Sequence, residues 1–152
     1  MKYMDLLANT VVANNCVNKL RTSDDDIDGT GISMLGYQYC TFIADVGAEL
    51  DTLASDLYLE FFVEESADDS TYTAVADADI SVSVTSTVGP GTTTGCFATF
   101  NAVGEAPGQA TTTYLGNALY CRCRILVSGT HTNGTPSSVI SIKHGAKNLP
   151  AA

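Results

Sequence analysis

The chain has 152 residues, 45% of them hydrophobic, and this length and composition predict a single folded domain. It carries 7 Lys and Arg residues against 17 Asp and Glu residues, so its formal net charge is −10. A field of that sign repels nucleic acid and anionic membranes, and no apolar run is long enough to span a bilayer, so we expect neither partner. The first residues, MKYMDLLANTVVANN, lack the uninterrupted apolar core of a signal peptide.

The chain contains five cysteines, which is an odd number. With no secretion signal visible, we expect free, buried thiols in a protein that folds in a reducing cytoplasm. The cysteines are Cys16, Cys40, Cys96, Cys121 and Cys123.

Residues 1–30 are predicted to form an arm that precedes the folded domain. Met4 to Val12 could begin a short helix or an edge strand, and the residues that follow are rich in Asn, Asp, Ser and Gly, which favour loops. The segment DDDIDGTG, from Asp24 to Gly31, suggests a calcium loop, but it lacks the glutamate and the spacing of an EF-hand. We therefore interpret it as a solvated acidic loop.

Two strands are predicted from alternating side chains in the first half of the chain. The first, Tyr37–Val46, has apolar residues on both faces, which suits the middle of a sandwich. The second, Leu57–Val63, alternates aliphatic residues with aromatic and acidic ones. Turn residues at Glu65–Ser70 and a strand at Thr71–Val75 complete a hairpin at the centre of an antiparallel sheet. The buried side chains should be one of two sets, either Leu59 and Phe61 or Tyr58 and Phe62.

The next part of the chain alternates short strands with loops. Ile80–Thr85 and Cys96–Phe100 are predicted strands, separated by the Gly- and Pro-containing loop Val88–Gly95. Asn101–Ala110 should be a surface loop.

The last third of the chain predicts a second hairpin. Ala118–Val127 alternates Cys121, Cys123 and aliphatic residues with polar ones, and Ser138–Lys143 returns. The turn between them contains Asn133-Gly134, which can adopt positive φ.

Seven or eight short strands with little helix predict an all-β fold, an antiparallel β-sandwich that is jelly-roll-like and carries an extended N-terminal arm. A closed barrel is the alternative. The expected organisation is an arm over residues 1–30, a sandwich domain over residues 31–145 and a tail over residues 146–152.

No motif in the sequence predicts catalysis or a bound cofactor. Cys121 and Cys123 share one face of a strand, but no further ligands follow at a zinc-binding spacing, so we interpret them as core residues. His131 and His144 accompany no GxSxG nucleophile signature. We therefore expect a non-enzymatic protein with no catalytic, cofactor-binding or metal-binding residues.

Arg122 and Arg124 form a local positive stripe beside Tyr120. They could pair with Glu60 and Glu64 across the sheet, or they could contact an acidic partner, and the sequence leaves both interpretations open.

Three segments carry a resemblance to a known group of proteins. They are the strand from Gly36 to Gly47 with Leu50–Leu53, the hairpin from Glu60 to Val75, and the turn from Ser128 to Pro136. Together they span most of residues 36–145, and the chain resembles small virion structural proteins of tailed bacteriophages, in particular capsid decoration (cement) proteins.

The resemblance implies a protein that binds the outer surface of an assembled phage capsid and stabilises it. The implied partners are the major capsid protein and further copies of the chain, with which it would form a homotrimer. The chain would fold in the host cytoplasm and then bind to the capsid surface of the virion. The N-terminal arm falls outside the resemblance, but its composition suits a segment that provides apolar anchors, so deletion of residues 1–20 is expected to weaken attachment while the β-domain stays folded. The candidate partner-binding residues are Leu6, Leu7, Val11, Val12, Arg122 and Arg124.

Two alternatives remain at this stage. The chain could be a tail or neck component of the same virion, which copy number per particle would distinguish. It could also be a carbohydrate-binding β-sandwich, which needs an exposed aromatic platform. The tyrosines available for one are Tyr37, Tyr39, Tyr58, Tyr72, Tyr114 and Tyr120.

Overall fold

A computed structural model describes residues 10–22, 24–82 and 88–146 of the chain. Within these ranges the chain is built almost entirely from antiparallel β-strands. The strands are β1 (Val11–Arg21), β2 (Asp25–Asp28), β3 (Ile32–Ser33), β4 (Tyr37–Val46), β5 (Tyr58–Ser66), β6 (Thr73–Ala74), β7 (Ile80–Val82), β8 (Cys96–Phe100), β9 (Gly108–Tyr114), β10 (Tyr120–Ser128) and β11 (Thr135–Ala146), with a 3-10 helix at Asp77–Asp79.

The described strands form two sheets, which confirms the predicted antiparallel β-sandwich. Sheet A has the order β1-β11-β4-β9-β7. In sheet B, β10 pairs with β2 and β3 on one side and with β5 on the other, and β5 also pairs with β6 and β8. The core lies between the sheets because alternate residues of the central strands point inward. These inward residues include Cys40, Phe42, Ala44 and Val46 of β4, and Cys121, Cys123, Ile125 and Val127 of β10.

Strand β5 confirms the central hairpin and buries both of its faces. Leu59 and Phe61 point into the sandwich and are fully buried, and the Phe61 ring packs against Phe97 and Phe100 with centroid distances of 6.1 and 5.8 Å. Phe62 on the opposite face is also buried, because the guanidinium of Arg124 lies 4.7 Å above its ring. The sequence predicts burial of only one of these two faces, whereas the structure buries side chains on both.

The predicted second hairpin is corrected by the structure. Strands β10 and β11 do not pair, because β10 belongs to sheet B and β11 lies between β1 and β4 in sheet A. Both lateral edges of β10 are already occupied by other strands, so the segment that follows must cross to the other sheet. The crossing loop turns at Gly134 with φ of 83°, as the Asn-Gly pair predicted, and Asp51 accepts hydrogen bonds from the backbone N–H groups of Asn133 and Gly134.

The predicted boundaries of the sandwich domain also change. Strands β1 and β2 lie within residues 1–30 and pair with β11 and β10, so residues 11–28 contribute strands to both sheets instead of forming a separate arm. Strand β9 begins at Gly108, inside the predicted surface loop, and β11 continues to Ala146. Residues 1–9, residue 23, residues 83–87 and residues 147–152 lie outside the described residues, and with them parts of the predicted arm, strand and tail.

The described part of the chain contains no helix long and apolar enough to cross a membrane.

Replacement of Phe61 by alanine is expected to reduce the free energy of unfolding by about 3–5 kcal/mol, because it removes a fully buried ring between two others. Urea unfolding followed by circular dichroism measures this change. The matched control is Val103→Ala in an exposed loop, which should stay within about 0.5 kcal/mol of the wild type. Equal stability of Phe61→Ala and wild type would contradict the placement of Phe61 in the core.

All five cysteines are buried, unbridged thiols, and we expect them to react only after unfolding. Burial raises the pKa of the Cys96 and Cys123 thiols, which lowers the fraction of reactive thiolate. Iodoacetamide without reductant should label the native protein slowly and the urea-unfolded protein at five sites, as counted by mass spectrometry. Three or fewer labels on the unfolded protein would reveal a disulfide and overturn the assignment.

Candidate partner-binding surface

The predicted apolar anchors of the N-terminal segment map onto strand β1. Val11 and Val12 begin this strand and are exposed, Val12 to 64%, whereas Leu6 and Leu7 lie outside the described residues. Sheet A has β1 at its edge, so one side of its backbone has no neighbouring strand among the described residues. Val17 and Leu20 are also exposed on β1. An apolar, unpaired edge strand is a surface on which another chain can bind.

The middle of β1 is held against the opposite sheet by Asn15. Two irregularities in the pairing with β11 let the consecutive residues Asn15 and Cys16 both turn inward. The Asn15 side chain accepts a hydrogen bond from the Cys123 backbone N–H at 2.8 Å and donates one to the Thr30 carbonyl at 2.7 Å. Because both polar atoms of the buried amide are satisfied, the middle of β1 is fixed against sheet B while its valines remain exposed.

The two predicted arginines lie in an ion-pair cluster on the outer face of sheet B. Arg122 contacts the carboxylates of Glu64 at 2.8 Å and Asp28 at 2.9 Å. Arg124 lies 3.8 Å from Asp26 and 3.6 Å from Glu64. The predicted pairing with Glu64 is thus present, whereas Glu60 accepts a hydrogen bond from the Thr99 hydroxyl instead.

Aromatic rings complete the contacts of both guanidinium groups. Arg122 lies 4.1 Å above the centroid of the Tyr72 ring, and Arg124 covers Phe62. The arginine side chains are only 16% and 29% exposed, so an acidic partner would have to displace contacts that already exist. Arg122 and Arg124 therefore stabilise the surface of sheet B, and their guanidinium groups are already engaged by neighbouring carboxylates and rings.

The acidic segment from Asp24 to Asp28 is largely a strand instead of a solvated loop. Strand β2 pairs with β10, and its alternation puts Asp26 and Asp28 on the same face as the arginines. The sequence reasoning missed this pairing because the two segments are far apart in the chain. Among the described residues, no group of three or more His, Cys, Asp and Glu side chains is arranged to hold a metal ion.

The other polar candidates have structural partners. His131 is fully buried and lies 3.2 Å from the Ser128 carbonyl and 3.3 Å from the Thr135 hydroxyl. Three of the six tyrosines occupy separate environments: Tyr114 is in the core, Tyr39 packs on His144 with ring centroids 5.4 Å apart, and Tyr72 lies beneath Arg122. These three tyrosines do not share an aromatic platform.

A second apolar surface was not predicted from the sequence. A pocket of about 350 Å³ lies between residues 34–37 and 116–119, at the end of the sandwich where β4 and β10 begin. Leu35 and Leu119 line it and are exposed to 79% and 55%, and Leu115 and Tyr39 are exposed beside it. We call this surface the apolar end. Its residues sit in loops and carry no periodic signal, although the leucines beside Gly36 and Gly116 could have indicated exposed apolar turns.

No protein-family model and no curated protein matches this chain. Among solved structures, the PBSX exported protein XepA is similar over 93% of this chain, with a TM-score of 0.51 and 15% sequence identity. The chain covers 39% of XepA, well under two thirds of its length. The SPBc2 prophage-derived protein YomS is similar over 89% of this chain and 92% of its own, with a TM-score of 0.44 and 7% identity. At 15% identity, the likeness to XepA shows a shared fold and nothing further.

Replacement of Arg122 by glutamine should lower the free energy of unfolding by about 2–3 kcal/mol, because it leaves the Glu64 carboxylate, whose side chain is 9% exposed, without its closest partner. The expected cost is below that of a fully buried pair because Asp28 is half exposed. The control is Lys19→Gln at an exposed position of β1. If both variants unfold at the same urea concentration as wild type, the cluster contributes no more than an ordinary surface ion pair.

Proposed function

We propose that this chain is a non-enzymatic structural protein of a phage virion that binds the outer surface of the assembled capsid and stabilises it. The observation that carries the proposal is the exposed apolar surface of β1. Four aliphatic side chains of this edge strand are exposed, and the strand contains no carboxylates. They are Val11, Val12, Val17 and Leu20.

The charge of β1 differs from that of the chain as a whole. Residues 11–21 contain Lys19 and Arg21 and no acidic residue, whereas the chain has a net charge of −10. Arg21 is buried and donates to the Ser137 hydroxyl, which leaves Lys19 as the exposed charge of the strand. The acidic remainder would weaken non-specific association, while β1 can approach a neutral or acidic surface.

Two further observations support a virion protein. Residues 36–145 resemble decoration proteins of tailed phages in pattern, and the structure has the compact sandwich expected of them. The PBSX protein XepA, which shares the fold, is named an exported protein, which fits a role outside the cytoplasm.

Binding to the assembled shell explains stabilisation without catalysis. A ligand that binds the assembled state and not the free subunits shifts the equilibrium toward assembly. The proposed partner is the major capsid protein, and the proposed bound form is a homotrimer, since three linked copies can contact several shell subunits at once. The chain would fold in the host cytoplasm and act on the capsid surface.

The structure changes how this proposal must be tested. Deletion of residues 1–20 would remove most of β1 together with the buried Asn15 and Cys16, so it would damage the sandwich as well as the attachment. Contrary to the prediction from the sequence, the β-domain is therefore not expected to stay folded without residues 1–20. Single substitutions of outward residues test attachment without disturbing the core.

We expect Val12→Asp and Val17→Asp each to weaken binding to purified capsids by about tenfold or more, because each places a charge in an apolar contact. Cosedimentation with capsids measures binding, and the rupture temperature of the decorated capsids measures stabilisation. Val103→Asp is the control, since Val103 is also exposed but lies in the loop between β8 and β9, neither of which pairs with β1. Full occupancy and unchanged heat resistance with both β1 variants would contradict the proposal.

The copy number of the protein in purified virions provides a second measurement. Hundreds of copies per particle would support decoration of the shell. A few to dozens of copies would instead place the protein in the tail or neck.

A further inference from the structure

The apolar end carries a projecting side chain and a pocket side by side. Tyr37 N–H donates to the Met34 carbonyl at 2.9 Å, which closes a turn, and Gly36 within it has a φ of 84°. This turn presents Leu35 outward, 79% exposed. The pocket of about 350 Å³ opens directly beside it.

Both sides of the pocket are fixed by hydrogen bonds. The Met34 N–H donates to the Leu119 carbonyl at 2.8 Å and joins the two segments. The Tyr114 hydroxyl accepts from the Ala118 N–H at 3.0 Å and donates to the Glu65 carboxylate at 2.5 Å, which anchors the second segment. A Cβ on Gly116 would lie 2.4 Å from the Tyr114 ring, so the loop follows this path only with glycine there. The pocket is therefore preformed, and filling it costs little ordering entropy.

No residue that lines the pocket is charged. Among the described residues, the ammonium group of Lys143 lies 4.7 Å from the centroid of the Tyr37 ring and donates to the Ser33 carbonyl. This lining contrasts with the net charge of −10, which makes copies of the chain repel one another over most of their surface. An uncharged, apolar surface is where two like-charged copies can meet at the lowest electrostatic cost.

We propose that the apolar end is the interface between copies of this chain, with Leu35 of one copy inserted into the pocket of the next. A self-associating surface must contain both complementary halves of the contact, and here Leu35 and the pocket are neighbours on one surface. The contact can close as a pair or as a ring. This inference rests on the homo-oligomer of the proposed function and identifies the surface through which the copies would bind one another. Val17 and Leu20 of β1 lie outside that interface.

The test uses the isolated full-length protein, without capsids. Sedimentation equilibrium over a hundredfold range of concentration should give a mass of two or three times 15.9 kDa for the wild type. Leu35→Asp and Leu119→Asp should each weaken this association by about tenfold or more, because a carboxylate would be placed in an apolar contact. The matched control is Val103→Asp, since Val103 is 71% exposed in a loop at the opposite end of the sandwich.

The outcomes separate this inference from the proposed function. A monomeric wild type at every concentration overturns the interface, and so does an oligomer that both apolar-end variants leave intact. Thermal melts of the variants should match that of the wild type, since both leucines are exposed, and Leu119→Asp tests the same surface if Leu35→Asp alone is misfolded. Attachment to capsids is tested separately, by cosedimentation of the β1 variants. A result that overturns the interface therefore does not decide whether the chain binds capsids.

Discussion

The contact of β1 with the opposite sheet depends on one side-chain amide. The ladder between β10 and the N-terminal strands is interrupted, since β2 pairs with Arg124–Val127 and β3 with Tyr120–Cys121. Asn15 of the opposite sheet fills this gap by accepting from the Cys123 N–H, and the Gly29 N–H donates to the Cys123 carbonyl at 2.8 Å. A Cβ on Gly29 would lie 2.2 Å from the Asn15 side-chain oxygen, so the contact requires glycine there. Without this bond, β1 would keep its pairing with β11 but would lose the side-chain amide that joins it to sheet B.

The ion pairs of sheet B determine where charge remains on the surface. Arg122 and Arg124 neutralise Glu64, Asp26 and Asp28, and their guanidinium groups cover aromatic rings. Arg21 and Lys143 are likewise engaged with neighbouring oxygens. Of the cations in the described residues, Lys19 is thus the one exposed on β1, beside Val17 and Leu20. Strand β1 thus combines exposed aliphatic residues with the absence of any carboxylate, which is the combination that a binding edge needs in an acidic protein.

Alternation predicted the strands well and their partners poorly. A period of two shows which residues share a face, so β4, β5 and β10 and the inward cysteines followed from the sequence. It does not show which strand lies alongside, so β10 and β11 were paired as a hairpin although they belong to different sheets. The bulge that turns Asn15 and Cys16 inward breaks the period, and the segment therefore resembled a loop-rich arm. The apolar end lies in turns, where no periodicity exists to reveal it.

The two apolar surfaces reinforce each other if both proposals hold. The outward side chains of β1 offer a narrow contact, and Lys19 together with the pairing irregularities limits regular strand addition along it. One such contact would release readily from a capsid. Copies joined at the apolar end would present several β1 strands together, so that after the first contact the others form within one molecule at high effective concentration. An oligomer whose β1 strands each bind weakly would therefore bind an assembled shell, with its repeated sites, much more tightly than a free capsid subunit. Stabilisation of the shell by linkage requires this difference in affinity.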